Sequence, residues 1–376
     1  VKLSQFLGIN NVVGPTRLTA GELASATNVD IGARGELLHK RARTLLSAGV
    51  ASSVFEAPFG VFALIGNDLK LFSKEGAVLR TVYDTLGYTR VWYVLLPDGR
   101  VGFSNGLING IASAAETMPW GIPTPPDAGT GVSGDTQYQI TYVRAADGLE
   151  GPPAFGELID MTQAIIGLPA RAGYSISVYA APYGEAMYLL GSTTTDTFDP
   201  FGRSLGVQFT EGPRAAPPAG TVMAQWKSRV LIAQGRVLWA TEPYRVESMD
   251  MTRDFVQLPA DITGLFGTPE GVFVGTTEGL HFLAGQTFAE LRAQLVAPGP
   301  VALGSMVEFD AAYLQEKARP QTERCALCLV SGLVHLLSGA GQVANLTADR
   351  YRTDAAEVFA SVRVRDGVMH YVAAPA

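Results

Sequence analysis

Short apolar strand pairs closed by glycine-bearing turns recur along this chain, and no convincing helix stands between them. Two follow in succession within residues 226–285: strands 230–233 and 237–240 flank Gln234-Gly235-Arg236, and strands 271–275 and 279–283 flank Thr276-Thr277-Glu278. The same design appears at 28–31 with 36–39, at 61–65 with 69–73 and at 91–96 with 100–104. It returns at 326–330 with 333–337 and at 362–365 with 368–372. Val, Ile, Leu and Phe fill the strands, and turns such as Asp98-Gly99 supply the positive φ angles that tight hairpins require. One hairpin cannot bury both of its faces, so such units stack side by side. Seven hairpins with variable polar spacers predict a β-propeller. The two hairpins at the extremes would close the ring by joining in one blade, which gives six blades or seven.

The pattern is interrupted once. Pro119-Trp120-Gly121-Ile122-Pro123-Thr124-Pro125-Pro126 is stiff and poor in backbone donors, and it reads as a domain boundary. Beyond it, residues 138–143, 165–168, 174–179, 188–191 and 195–198 form short alternating strands, the pattern of a fibronectin-III-like β-sandwich. Residues 213–218 (PRAAPP) mark the return. The expected class is therefore all-β, a six- or seven-bladed β-propeller with an inserted β-sandwich. Its parts are an N-terminal arm (1–20), a first propeller part (21–123), the insert (124–212) and a second propeller part (213–376). Residues 21–26 read as a brief helical turn or loop with Thr19 as a plausible cap.

Composition supports a large core, with 47% hydrophobic and 17% charged residues, so wholesale disorder is excluded. No apolar run approaches the roughly 20 residues of a membrane helix, so a soluble protein without stable membrane insertion is expected. Residues 1–8 lack the apolar core of a secretory signal, and two cysteines cannot build a disulfide framework. Both point to cytoplasmic synthesis. A formal charge of −7 argues against a dedicated nucleic-acid binder, yet it suits a surface along which nucleic acid slides without adhering.

Little chemistry is visible. His39, His281, His335 and His370 sit in apolar strands without partners at metal-ligand spacing. Cys325-Ala326-Leu327-Cys328 enters a strand whose period of two puts its thiols on opposite faces, and no second pair exists, so buried structural thiols are expected. Asp30, Asp98, Asp147, Asp261, Asp349 and Asp366 mostly occupy turns. Lys40, Arg41 and Arg43 read as a solvated strand edge, or alternatively as a contact to a neighbouring subunit or phosphate. No serine elbow, phosphate loop or nucleotide fingerprint occurs. No catalytic, cofactor-binding or metal residue is predicted.

Several segments together resemble the propeller-type, nozzle-like tail proteins of short-tailed bacteriophages. They are Phe6-Leu7-Gly8-Ile9-Asn10-Asn11 with Gly21-Glu22-Leu23 and Asn28-Val29-Asp30-Ile31; Trp226-Lys227-Ser228-Arg229-Val230-Leu231-Ile232-Ala233; and Leu346-Thr347-Ala348-Asp349-Arg350-Tyr351 with Met369-His370-Tyr371-Val372. The most telling combination is the Trp239-Ala240-Thr241-Glu242-Pro243 corner followed by Asp261-Ile262-Thr263. The resemblance implies a non-enzymatic virion protein, made in the host bacterial cytoplasm and incorporated in the tail. It implies a ring, commonly of six copies, that retains genomic DNA and conducts it on ejection without sequence recognition. The implied partners are other copies, tube or adaptor proteins and fibre or spike proteins. The insert and the N-terminal arm are the expected contact regions between copies. The alternative is a glycan-binding or glycan-hydrolysing propeller that uses a channel carboxylate such as Asp261. A third option is a cellular scaffold whose insert binds a protein partner.

Overall fold

A computed structural model describes residues 8–26, 29–31, 36–39, 51–87, 90–182, 185–210, 214–314, 324–347, 350–365 and 368–376. The fold is a β-propeller. Outside the insert, the described residues form five four-stranded antiparallel sheets, each running outward in chain order. The first blade comprises Ala51–Ala57, Gly60–Ile65, Asp68–Phe72 and Val78–Tyr83. The second comprises Trp92–Leu95, Val101–Ser104, Asn109–Ala112 and Thr117–Met118. Val222–Trp226, Arg229–Gln234, Val237–Ala240 and Phe255–Gln257 make the third; Ile262–Thr268, Gly271–Thr276, Gly279–Ala284 and Arg292–Pro298 make the fourth. The fifth holds Val307–Asp310, Arg324–Val330, Leu333–Ser338 and Gln342–Asn345. A terminal sheet contains only Val358–Arg365 and Val368–Pro375.

All seven sequence hairpins are strand pairs, but they hold different places. In the first, third, fourth and fifth blades they are the second and third strands, whereas in the second blade residues 91–104 supply the first and second. The two extreme hairpins, Val29–Ile31 with Leu37–His39 and Val358–Arg365 with Val368–Pro375, lie in separate two-stranded sheets. Residues 21–26 are not helical. Glu22–Leu23 pairs in parallel with Gly8–Ile9, and the first 3₁₀ turn falls at Pro15–Arg17, where proline presets φ. The basic cluster Lys40, Arg41 and Arg43 lies outside the described residues, as do Asp349 and Asp366.

Alternation along each strand divides its side chains between two seams. In the third blade, Val230 and Ile232 face the second blade and meet Val94, Ile111 and Trp120. Leu231 and Ala233 face the fourth and meet Leu265, Val272 and Leu283. Phe62, Leu64 and Leu71 fill the first seam with Val101 and Phe103. Each fully buried side chain of this size contributes about 1.5–3 kcal/mol relative to exposure, so the ring is held by these dry seams rather than by any single contact.

The Cys325–Cys328 pair follows the same rule. Cys325 packs with Leu327, Leu336 and Val362 on one face, and Cys328 with Ala326, Val330 and Phe282 on the other. Both thiols are buried and neither is in a disulfide, and burial pushes Cys328 up to about 12. Neither should react with a thiol reagent in the native protein, while both should react in denaturant; a rapid native modification would contradict the packing.

The Ser331-Gly332 turn has positive φ at both residues, 50° and 79°, as a two-residue hairpin demands. A Cβ on Gly332 would collide with the carbonyl oxygen of Thr353. Gly332→Ala is therefore expected to cost about 1–3 kcal/mol, read as a lowered urea midpoint with an unchanged slope.

The insert has one four-stranded sheet, ordered Ala154–Phe155, Ser133–Arg144, Tyr174–Pro182, Tyr188–Thr193, and a second pair, Ile165–Ile166 with Thr197–Phe198. Tyr138, Ile140, Tyr142, Ile159, Ile165, Ile176, Val178 and Phe198 share one core between them. The proline-rich entry is not a loose linker. Trp120 is buried in the seam of the second and third blades, and Ile122 is buried in the insert's own core.

Candidate functional site

Two places concentrate polar groups in otherwise apolar surroundings: the central channel and the junction between insert and propeller. The channel exists because each of the five blades and the terminal sheet presents its first strand to the axis. Ala51–Phe55, Arg90–Leu95, Met223–Gln225, Leu265, Met306–Glu308 and Phe359–Ser361, which belong to or flank six first strands, line one cavity of about 810 Å³. Among the described residues those strands have no sheet neighbour on the axial side, so their remaining backbone groups face the cavity and require water.

Arg90 crosses this space. It precedes the first strand of the second blade, yet it donates from Nη1 to the Val358 carbonyl (2.8 Å) and to Glu357 Oε1 (3.3 Å) at the terminal sheet. Its guanidinium lies between the Trp92 ring, 4.2 Å from the centroid, and the Phe359 ring, at 4.4 Å. Two cation–π contacts and a paired carboxylate offset a burial that lowers the guanidinium's pKa. Gly304 leaves the space this requires, since a Cβ there would collide with the Arg90 side chain. The arginine thus ties residues 267 positions apart across the channel.

Glu308 also lines the cavity, and Arg324 bonds directly to it. Asp261 does not line it. That residue precedes the first strand of the fourth blade, is largely exposed and faces Arg236 at 3.7 Å. The expected channel carboxylate is therefore a blade corner, because the turn at Gly235-Arg236 lies at the same end of the blade and draws Asp261 to it. Thr241 is likewise a corner: its hydroxyl accepts from Val230 N at 2.9 Å.

The junction is built on Glu247, 7% exposed, in the loop of the third blade. Arg100 from the second blade donates to Oε1 at 2.9 Å, and Arg144 from the insert donates to Oε2 at 2.7 Å. Each arginine also holds an aspartate of its own turn. Arg100 bonds Asp98 at 2.7 Å, and Arg144 forms a two-pronged pair with Asp147 at 3.0 and 2.6 Å. Charges alternate in sign along the string Asp98–Arg100–Glu247–Arg144–Asp147, so each cation touches two anions. Hydrogen bonds from Arg144 to Asp147 and Glu247 raise its pKa against the penalty of burial.

Beside this string, Trp120 Nε1 donates to the Val246 carbonyl at 2.7 Å. Arg214–Ala215 pairs with Met249–Asp250, and Arg214 reaches Glu242 at 3.1 Å. The insert is consequently fastened at both its entry and its return. No sequence signal marked Glu247, because its partners lie 147 and 103 residues away.

Both terminal carboxylates of the string respond to pH. Burial acts to raise Asp98, but hydrogen bonds and charge from Arg100 outweigh it and leave the pKa lowered; Arg144 lowers Asp147 directly. A folded value below the unfolded one means that the stabilisation is complete above the ordinary carboxylate value of 3.8 and is lost as pH falls through the depressed values. Proteolysis of the insert should therefore accelerate only below about pH 4; release already at neutral pH would rule this linkage out.

Among the described residues, no group of three His, Cys, Asp or Glu is placed to hold a metal ion, and no helix is long and apolar enough to cross a membrane. His281 and His335 lie in strands, where burial lowers His281 and His335 Nδ1 lies 3.0 Å from the Leu333 carbonyl.

Sheets, seams and channel together define a β-propeller. No protein-family model matches the chain, and no curated protein matches it. Among solved structures it is similar to a streptogramin B lyase, with 9% identity over 82% of this chain and 86% of that one and a TM-score of 0.33. It is similar to the C-terminal WD40 domain of Sif2, with 10% identity, 80% and 71% coverage and a TM-score of 0.35. A third is an auxiliary nutrient binding protein from Bacteroides thetaiotaomicron, with 7% identity, 81% and 59% coverage and a TM-score of 0.35. These likenesses are distant, and the fold assignment rests on the sheets themselves.

Proposed function

We propose that the protein is a non-enzymatic structural component of a bacteriophage tail, a nozzle-like ring of copies around the DNA channel that helps retain DNA and conduct it on ejection. The observation that carries the reading is the rigid docking of an insert that presents apolar groups outward. Phe155, Ile166, Phe201, Leu205 and Val207 are each more than half exposed on the insert. Exposed apolar groups of this size suit contacts with other protein copies, and the Glu247 string holds the module in one orientation as a ring requires. The segments that resemble nozzle-like tail proteins support the same reading: Thr241-Glu242-Pro243 follows the third strand of the third blade, and Asp261 leads into the first strand of the fourth at Ile262-Thr263. DNA would pass through the ring of copies, because a cavity of about 810 Å³ crossed by Arg90 is too small for a duplex.

Electron microscopy of the purified protein tests the assembly, and antibody labelling of particles tests the location. Closed rings and labelled tail tips are expected. A protein that stays monomeric at high concentration, or antibodies that label no tail, would overturn the proposal.

A further inference from the structure

Three unusual features meet on the channel wall between the first and second blades. The first is a bulge. Ser53, inside the first strand of the first blade, has a φ of 49°, and the register slips between Ser52 and Phe55. A bulge with a residue in that region costs backbone energy and re-aims side chains. Here it turns the Ser53 hydroxyl inward, where it accepts from Val91 N at 2.9 Å, and leaves Val54 63% exposed on the cavity wall. The second is Tyr93, which stacks on Phe55 at 5.1 Å with its hydroxyl buried and without a hydrogen-bond partner among the described residues. Such a group is costly to keep. Local costs of both kinds gather where a protein holds a ligand.

The third feature is Arg90, next to the Val91 that Ser53 anchors. Both of its bonds leave from Nη1. Among the described residues Nε and Nη2 have no hydrogen-bond partner, and the side chain keeps 16% of its surface exposed. These two nitrogens form one edge of the guanidinium, and their parallel N–H groups match the two oxygens of a carboxylate. Trp92 and Phe359 hold the guanidinium plane from its two sides, so the fork is set before any ligand arrives.

The rest of the cavity says what else such a ligand carries. Its other charged lining residues, Glu308 and Arg324, are bonded to each other, so Glu308 is already neutralised. Phe55, Trp92, Tyr93, Met223, Leu265 and Met306 supply aromatic, thioether and aliphatic wall. A volume of about 810 Å³ falls within the range of about 300–1,000 Å³ typical of small-molecule sites.

We propose that the channel binds a small organic carboxylate, whose two oxygens accept from Arg90 Nε and Nη2 and whose apolar body lies against the aromatic and thioether walls. An inorganic anion lacks the body, and a neutral apolar molecule lacks the charge. Every group of the site comes from one chain, so binding does not depend on a ring of copies.

Calorimetric titration of the full chain with naphthoate, its uncharged amide and acetate tests this. One saturable naphthoate per chain is expected, with the amide and acetate each weaker by roughly tenfold or more. Arg90→Lys keeps a charge and loses the fork, and should weaken naphthoate by roughly tenfold. Because Arg90 also ties the ring, Val54→Trp serves as a second variant: it fills the cavity from an exposed position and should abolish naphthoate binding without lowering the urea midpoint. Absence of saturable naphthoate binding would overturn the proposal. So would an amide that binds as tightly as naphthoate, or full naphthoate affinity in Val54→Trp, since the molecule would then sit elsewhere.

Discussion

Replacing Glu247 with alanine is expected to destabilise the protein by roughly 3 kcal/mol and to loosen the insert before the propeller unfolds. The carboxylate is buried and accepts from two arginines on different modules. Without it, Arg100 and Arg144 face each other across a partly desolvated gap, each keeping only its own aspartate. Those remaining pairs are the reason to expect the low end of the range for a broken buried ion pair. Glu247→Gln keeps the shape and one acceptor, so its loss should be smaller. Guanidinium unfolding combined with limited proteolysis separates the two effects, because early cleavage within residues 124–212 reports loosening of the insert. An alanine variant within about 0.5 kcal/mol of the parent, with unchanged proteolysis, would show that the string holds nothing.

Trp226→Ala should be at least as severe, at about 3–5 kcal/mol. The indole is 3% exposed at the end of a first strand and packs in the seam of the third and fourth blades with Leu231, Leu265 and Val272. Its Nε1 donates to the Thr268 carbonyl at 2.9 Å, so it also ties the two blades by a directed bond. Trp226→Phe retains most of the buried area and loses only that hydrogen bond, which should cost only about 1–2 kcal/mol. Urea denaturation of both variants checks the partition. Equal losses would mean that the hydrogen bond, and not the packing, holds the seam.

The second and third strands of most blades were legible because they are buried on both faces and closed by glycine turns. Their neighbours were not. Thr117–Met118 and Phe255–Gln257 are two or three residues long and partly exposed, so they carry no period to read. Ile262–Thr268 is fully buried but contains two glycines, and its start reads as a corner. The insert's strands were found for the same reason as the inner hairpins: Tyr138, Ile140 and Tyr142 alternate with Gln139 and Thr141. Its attachment was invisible, since Arg144 looks like any turn arginine until Glu247 is folded against it.

Alternation with period two was enough, by itself, to determine an all-β chain of stacked hairpins and to place Cys325 and Cys328 on opposite faces, because these follow from local backbone geometry. Only the tertiary structure decided that Arg90 crosses the channel, that Asp261 lies outside it, and that Glu247 fastens the insert. Each depends on how one blade or module packs on another, and a charge such as Glu247, whose partners are 147 and 103 residues away, leaves no mark on the sequence around it.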